Sequence, residues 1–172
     1  GIVSGETQIS LANYEPMKGF NLDNVDATIS SDGQINGTKS TVLNAGNADH
    51  FIVFGKSGDG YAFGLVNRSS DGVKVVNYKT YDGFVSGDLV LENCKCDAVF
   101  SAENALEILE ETILDAIVCV SSEAVGAMEK SYKLTIEYTQ QREQFGQSLS
   151  KFQALQHRMV DMFMETEFTK SF

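Results

Sequence analysis

The chain lacks a basic excess, a long apolar run, a paired set of cysteines and a cluster of histidines, and each absence closes off a class of function. Its 172 residues hold 13 lysines and arginines against 24 acidic residues, for a formal charge of -11. A surface of that sign repels a phosphate backbone, which argues against a nucleic-acid partner. No apolar stretch approaches the roughly 18 residues that cross a bilayer. The start, Gly1-Ile-Val-Ser-Gly5-Glu, carries neither the basic nor the hydrophobic region of a secretion signal. No membrane span is expected, and a cytoplasmic location is the default. Cys94, Cys96 and Cys119 are odd in number and make no disulfide framework, which suits a reducing compartment. Cys94 and Cys96 stand closer together than zinc-binding pairs do, and only His50 and His157 could join them. No metal is expected, and the two cysteines read as strand residues sharing one face.

What is present is a change of language near Phe100. A hydrophobic content of 42% is enough for a buried core, and the length fits one large or two small domains. From about Ser4 to Phe100, short apolar runs are broken by Asp32-Gly33, Asn36-Gly37, Asp59-Gly60, Asp71-Gly72 and Asp82-Gly83, the turn chemistry of antiparallel strands. The runs Phe51-Ile-Val-Phe54, Tyr61-Ala-Phe-Gly-Leu-Val66, Val73-Lys-Val-Val-Asn-Tyr78 and Asp88-Leu-Val-Leu91 are β-branched and aromatic, as a pleated surface favours. Short strands at this spacing predict a barrel or sandwich. Beyond Phe100, Ser101 stands as an N-cap ahead of Glu103, and no Pro or Gly follows until Gly126, so a long helix is predicted. Ile113, Ile117, Val120 and Ala124 form one stripe on it, and Val118, Val125 and Met128 a second. In the last segment Phe152, Leu155, Met159, Met162 and Phe163 share one face, and Val160, Met164, Phe168 and Phe172 another. Two faces need two partners. With no initiator Met and a stripe still open at Phe172, the chain reads as a piece of something longer. The expected class is α+β: an antiparallel β-barrel over residues 1–100, then long antiparallel helices of a truncated four-helix bundle over 101–172.

The densest chemistry lies at Thr139-Gln-Gln-Arg142-Glu-Gln-Phe145-Gly146, followed by Ser150-Lys-Phe152-Gln153-Ala-Leu-Gln156-His157-Arg158-Met159. A guanidinium is a planar fork of permanently charged donors and a helix start offers free backbone N–H groups, a combination that suits a diphosphate. The same residues also read as plain punctuation, with Ser150 and Gln153 as a capping box and Gly146 as a helix stop. As a whole the stretch resembles the junction in the C-terminal helical domain of acyl-CoA dehydrogenases. In that family an Arg-x-x-Phe-Gly turn and the Gln of a Phe-Gln motif meet the FAD of a neighbouring subunit. The β half resembles the family's middle domain. Asn36-Gly37-Thr-Lys39-Ser-Thr41-Val-Leu43-Asn44-Ala-Gly46-Asn-Ala48-Asp49 matches its Gly-x-Lys strand and Asn-rich turn, and Leu11-Ala-Asn13-Tyr14-Glu15-Pro16 sits where it carries a Thr-Glu-Pro segment. Glu123-Ala-Val-Gly126-Ala-Met128 and Gln153 to Met159 look most like the branch that includes the small subunit of pimeloyl-CoA dehydrogenase.

The resemblance implies FAD as cofactor, with Leu11, Asn13, Tyr14, Thr41, Leu43 and Asn44 facing the isoalloxazine and Arg142, Gln144, Phe145 and Gln153 reaching the FAD of a partner subunit. It implies an acyl-CoA substrate dehydrogenated between its α and β carbons, an electron-accepting redox partner, and a homo- or hetero-oligomer formed through the C-terminal helices. Two positions depart from the family: Thr41 stands where a Trp is frequent and Leu43 where a hydroxyl residue is, leaving backbone amides as the flavin contact there. The family's usual base, a Glu, falls beyond Phe172. A minority place a carboxylate early in the long helix, where spacing back from Arg142 gives Ala116. Asp115 and Glu123 lie eight apart, on one helix face with Cys119 between them, and are the remaining candidates, with a solvated carboxylate as the plain reading of each. His157 reads as a hydrogen-bonded bundle residue. A piece of a flavin-dependent acyl-CoA dehydrogenase, inactive by itself, is therefore expected; the alternative is a non-catalytic flavin-binding or structural subunit of a heteromeric one.

Overall fold

The computed structural model describes residues 1–171 and separates them into two compact units, Gly1–Glu111 and the segment from Thr112 onward. The first unit is built on eight strands: β1 (Ile9–Ala12), β2 (Thr28–Ile29), β3 (Gln34–Val42), β4 (His50–Ser57), β5 (Gly60–Asn67), β6 (Val73–Lys79), β7 (Val85–Lys95) and β8 (Ala98–Ser101). They hydrogen-bond in the order β6-β7-β3-β2-β4-β5-β8, with β1 added beside β4. The predicted runs at 51–54, 61–66, 73–78 and 88–91 lie in β4, β5, β6 and β7. The pairings are antiparallel except for β1 with β4 and β2 with β4, which run parallel. One edge of β4 is shared by two short strands, β1 along His50–Val53 and β2 at Lys56. The strand path runs from β6 to β8 without closing, an arrangement compatible with the antiparallel barrel or sandwich expected from the sequence. Ser101 is the last residue of β8, paired with Ala62, and not a helix cap.

Four of the five Gly-bearing dipeptides lie at turns, but Asn36-Gly37 lies inside β3. There the register against β7 slips between Ile35 and Gly37, and the Asn36 side-chain oxygen accepts the Asn93 N–H at 2.7 Å. A β-carbon at Gly37 would sit 2.6 Å from that of Ala27, and its φ of +146 is one that side chains rarely adopt, so the site tolerates only glycine.

The core under the sheet is Ile35, Val42, Phe51, Val53, Ala62, Val66, Leu89 and Leu91, joined by Cys94 and Cys96. Both cysteines are free and buried, but only Cys94 is a strand residue, since β7 ends at Lys95 and Cys96 follows it. Burial pushes the Cys96 thiol up to about 11, so it sits in the core as a neutral group. Among the described residues no group of side chains is placed to hold a metal ion.

One large side chain in this interior is a cation. Lys39 of β3 has 0% exposure and donates to the Glu15 carboxylate at 2.7 Å. Glu15 also accepts the N–H groups of Ala27 at 2.9 Å and Asp26 at 2.7 Å, and Lys39 reaches the Asn13 carbonyl at 3.4 Å. A buried charge survives only when paired and hydrogen-bonded, and this one is both. Burial alone would raise the Glu15 carboxyl; the Lys39 ammonium and the two backbone donors outweigh it and hold it below the ordinary carboxylate value. Burial is also the main influence on Lys39, and it lowers that group below the ordinary lysine value.

The long helix α1 (Ala105–Gln141) begins in the first unit, where Ala105 and Leu109 are buried, and continues through the second. It is followed by a hairpin of β9 (Glu143–Gln144) and β10 (Gln147–Ser148), one turn of 3-10 helix at Leu149–Lys151, and α2 (Gln153–Lys170). In the second unit the covered positions of α1 are Ile113 and then Val125, Met128, Glu129, Tyr132, Thr135, Ile136 and Thr139, which follow one side of the helix. Thr139 bonds Met159, Tyr132 packs edge-on against Phe163 at 5.8 Å, and Glu129 pairs with Lys170 at 3.4 Å, an order that makes the helices antiparallel. Leu114, Ile117, Val118 and Val120 of α1, and Val160, Met164 and Phe168 of α2, are exposed. Phe172, the last residue of the second α2 stripe, lies outside the described residues. Among those described, no helix is long and apolar enough to cross a membrane.

Removing one partner of the buried pair leaves the other charged and dry, so Lys39→Met should cost about 3–5 kcal/mol in urea unfolding. A variant with the parental midpoint would contradict this. The pH dependence has a definite sign. Glu15 is depressed in the fold, so its contribution is present above the ordinary carboxylate value of about 4.3 and lost as pH falls through its lowered value. Lys39 is also lowered, so its buried ammonium weighs against the fold at neutral pH, and that penalty fades only on the alkaline side, between its lowered value and the ordinary lysine range. In Lys39→Met the unpaired Glu15 favours its proton, and the stability gap to the parent should narrow toward acid.

Candidate functional site

In the first unit the candidate residues meet at one edge because Lys39 ties two remote segments together. Residues 13–15 leave β1 under the Lys39 bonds, and the Tyr14 carbonyl accepts the Ser40 N–H at 2.9 Å. Asn13 and Tyr14 are thereby set beside Ser40 and Thr41. Leu11, half-buried, pairs with Ile52 of β4. Tyr14 meets Phe20 edge-on at 5.6 Å. Asn13 is buried, and its side-chain Nδ2 has no hydrogen-bond partner among the described residues, an unusual condition for a buried donor.

Thr41 occupies a second bulge of β3. Lys39 pairs with Leu89 and Val42 with Gly87, so Ser40 and Thr41 together oppose Asp88. Thr41 has φ +55, a left-handed conformation that is an outlier for a β-branched residue. Its N–H donates to Asp88 Oδ1 at 3.2 Å, and the Tyr78 hydroxyl donates to the same oxygen at 3.1 Å. The Thr41 amide is thus engaged within the protein, where the sequence suggests an amide open to a ligand. Leu43 is 67% exposed, and Asn44, at φ +56, is held by side-chain bonds to Gln8 and Asn47. A buried amide donor without a partner fits a ligand that carries an acceptor, as the flavin ring does.

In the second unit α1 stops at Gln141. The Arg142 N–H bonds the Tyr138 carbonyl at 2.9 Å, and the Arg142 carbonyl takes the Leu149 N–H at 2.8 Å, closing the base of the hairpin. Gln144 pairs with Gln147 across the two-residue loop Phe145-Gly146. Both loop residues have positive φ, +56 and +81, as a type I′ turn requires. Gly146 therefore closes a hairpin and is not a helix stop. The Phe145 ring is 91% exposed, meeting Phe152 edge-on at 6.2 Å. Arg142, Gln144 and Gln153 are exposed, and the Arg142 guanidinium has no ion-pair partner among the described residues. The Ser150–Gln153 capping box is not formed. α2 begins after Phe152 without a side-chain cap, while Ser150 bonds Ser148 at 3.0 Å. The first N–H groups of α2 are left for another acceptor.

The carboxylates Asp115 and Glu123 are both exposed on α1, as is Ala116. His157 is exposed and has no hydrogen bond among the described residues, unlike the bonded bundle residue expected. Sequence reasoning passed over Asp88 and Tyr78, and took Lys39 and Glu15 only as motif letters. A lysine among core positions of a strand could have signalled a buried carboxylate partner; nothing in the sequence points to Asp88, which is identified only once the β3 bulge is known.

Residues 106–172 match the family model described as acyl-CoA dehydrogenase, C-terminal domain. The short-chain specific acyl-CoA dehydrogenase of Megasphaera elsdenii is 29% identical over 155 residues, covering 82% of this chain and 40% of that protein. An acyl-CoA dehydrogenase from Geobacillus kaustophilus superposes with a TM-score of 0.88 at 27% identity, covering 98% of this chain and 49% of its own. A glutaryl-CoA dehydrogenase from Mycobacterium smegmatis, solved in complex with FADH2, gives a TM-score of 0.88 at 26% identity over 98% of this chain and 46% of its own. These matches make the chain similar to acyl-CoA dehydrogenases in both sequence and fold. The chain spans a little under half the length of the curated relatives it matches.

Replacing Thr41 by Asn, a residue tolerated in the left-handed region, should relieve backbone strain and raise stability by about 1 kcal/mol. Thermal unfolding checks it; a lower melting temperature for Thr41→Asn would show that the threonine side chain stabilises the bulge.

Proposed function

We propose that this chain carries the flavin-binding middle domain, residues 1–100, and the first helices of the C-terminal domain, residues 101–172, of an FAD-dependent acyl-CoA dehydrogenase. The observation that carries the reading is the convergence of Asn13, Tyr14 and Thr41 under the buried Lys39, with an unpaired Asn13 amide at its centre. In the reaction a proton leaves the carbon next to the thioester and a hydride leaves the next carbon; the flavin supplies the hydride acceptor. The work of this chain is binding and orientation. Asn13 offers a donor to a ring acceptor, Leu43 covers the ring edge against water, and Arg142, Gln144, Phe145 and Gln153 receive the polar part of an FAD held by a neighbouring subunit. The unpaired guanidinium and uncapped start of α2 support that second role. We place the chain nearest the branch containing the small subunit of pimeloyl-CoA dehydrogenase, on Glu123 to Met128 and Gln153 to Met159. The acyl-CoA, an electron-accepting redox partner, a cytoplasmic location and assembly through the exposed faces of α1 and α2 complete the proposal.

A second reading, a non-catalytic flavin-binding subunit of a heteromeric enzyme, is favoured by Leu43 in place of a hydroxyl residue and by the open positions of Asp115 and Glu123. Titrating the purified chain with FAD should shift the flavin absorption band near about 450 nm and quench its fluorescence as the ring leaves water. An unchanged spectrum together with an unchanged melting temperature would overturn the proposal. In a dye-coupled assay the isolated chain should show no turnover with any acyl-CoA. Activity there would place a base among these residues and rule out the non-catalytic reading.

A further inference from the structure

Asp88 is the hub of a hydrogen-bond chain that crosses three adjacent strands. Its Oδ1 accepts the Tyr78 hydroxyl of β6 on one side and the Thr41 N–H of β3 on the other, at 3.1 and 3.2 Å. The residue it grips has the least comfortable backbone at the site edge, a β-branched residue at φ +55. Such a conformation persists only where its surroundings over-determine it. Two bonds here do so: Asp88 takes the Thr41 N–H, and the Tyr14 carbonyl takes the preceding N–H of Ser40. The first pulls the bulge toward β7 and the second toward the exit of β1. Between them they fix where Leu43 and Asn44 emerge.

Resting on the flavin reading above, we propose that Asp88, braced by Tyr78, is a positioning residue of the flavin site. It holds Thr41 in the left-handed bulge and so sets the edge formed by Thr41, Leu43 and Asn44 against the ring. The carboxylate acts through Thr41 and does not touch the flavin. What the position requires is an acceptor oxygen, not a negative charge, and that distinguishes this role from an electrostatic one.

The test compares Asp88→Ala, Asp88→Asn and Tyr78→Phe in the full chain by FAD titration, the flavin absorption spectrum, Thr41 amide exchange and thermal unfolding. Asp88→Ala should weaken FAD binding about tenfold, the loss of one hydrogen bond, alter the bound-flavin spectrum and speed Thr41 exchange. Asp88→Asn keeps the acceptor and should stay within about twofold of the parent, and Tyr78→Phe should move the same way as Asp88→Ala but by less. Parental affinity and spectrum in Asp88→Ala, with only the melting temperature lowered, would reduce Asp88 to a structural residue and overturn the inference while the flavin reading stands. Asp88→Asn failing like Asp88→Ala would also overturn it, because charge would then be the requirement. A parent that binds no FAD would overturn both.

Discussion

An ammonium group with no exposed surface can persist in a sheet interior only if its desolvation is offset locally, and in this chain the offset is geometric as well as electrostatic. Lys39 is met by a carboxylate that is itself held by two backbone N–H groups, so the pair is nearly saturated with hydrogen bonds. Meeting that requirement forces residues 13–15, which leave β1, to lie against β3, and brings residues 26 and 27 onto the other side of Glu15. Three segments remote in sequence are fixed by one buried charge. The candidate ligand edge is a by-product of that fixation, since Asn13 and Tyr14 cannot leave without uncovering Lys39.

The two units reach a similar local solution by different routes. In the first, a bulge places Thr41 in the left-handed region at the edge of the sheet; in the second, a two-residue hairpin places Phe145 there with its ring in solvent. Both residues were drawn into the candidate site by the family resemblance, and both hold a backbone conformation that costs free energy without an obvious gain in packing. Strain of this kind concentrates where a side chain must be presented outward and not packed inward. The apolar faces of α1 and α2 tell a related story at larger scale. Their covered positions form one seam, while Leu114, Ile117, Val118, Val160 and Phe168 remain in solvent, an arrangement suited to further helices or a further subunit.

Much of the architecture was legible in the sequence, and the parts that were not share a cause. The strand runs of β4 to β7 stand out by their β-branched and aromatic residues, and the helical stripes locate α1 and α2, although Ile117, Val118, Val120, Val160, Met164 and Phe168 of those stripes are exposed. The Asn36-Gly37 turn, the Ser101 cap and the Ser150–Gln153 capping box were misplaced because each is a local signal overruled by pairing elsewhere: a bulge against β7, a strand against β5, and a 3-10 turn that sets the start of α2 at Gln153. The parallel strands β1 and β2 are too short to carry a pattern. At the candidate site, the residues named from the resemblance were findable because they belong to contiguous motifs. Asp88 and Tyr78 were not, because their role exists only once the sheet has brought β6, β7 and β3 side by side.

A crystal structure of this chain bound to FAD would show directly whether the buried pair sets the flavin edge. In it Lys39 and Glu15 should remain paired and buried, the Asn13 side-chain amide should donate to the flavin ring, and Leu43 should lie against the ring edge. A bound flavin remote from residues 11–14 and 41–44, with the Asn13 amide satisfied inside the protein, would contradict it.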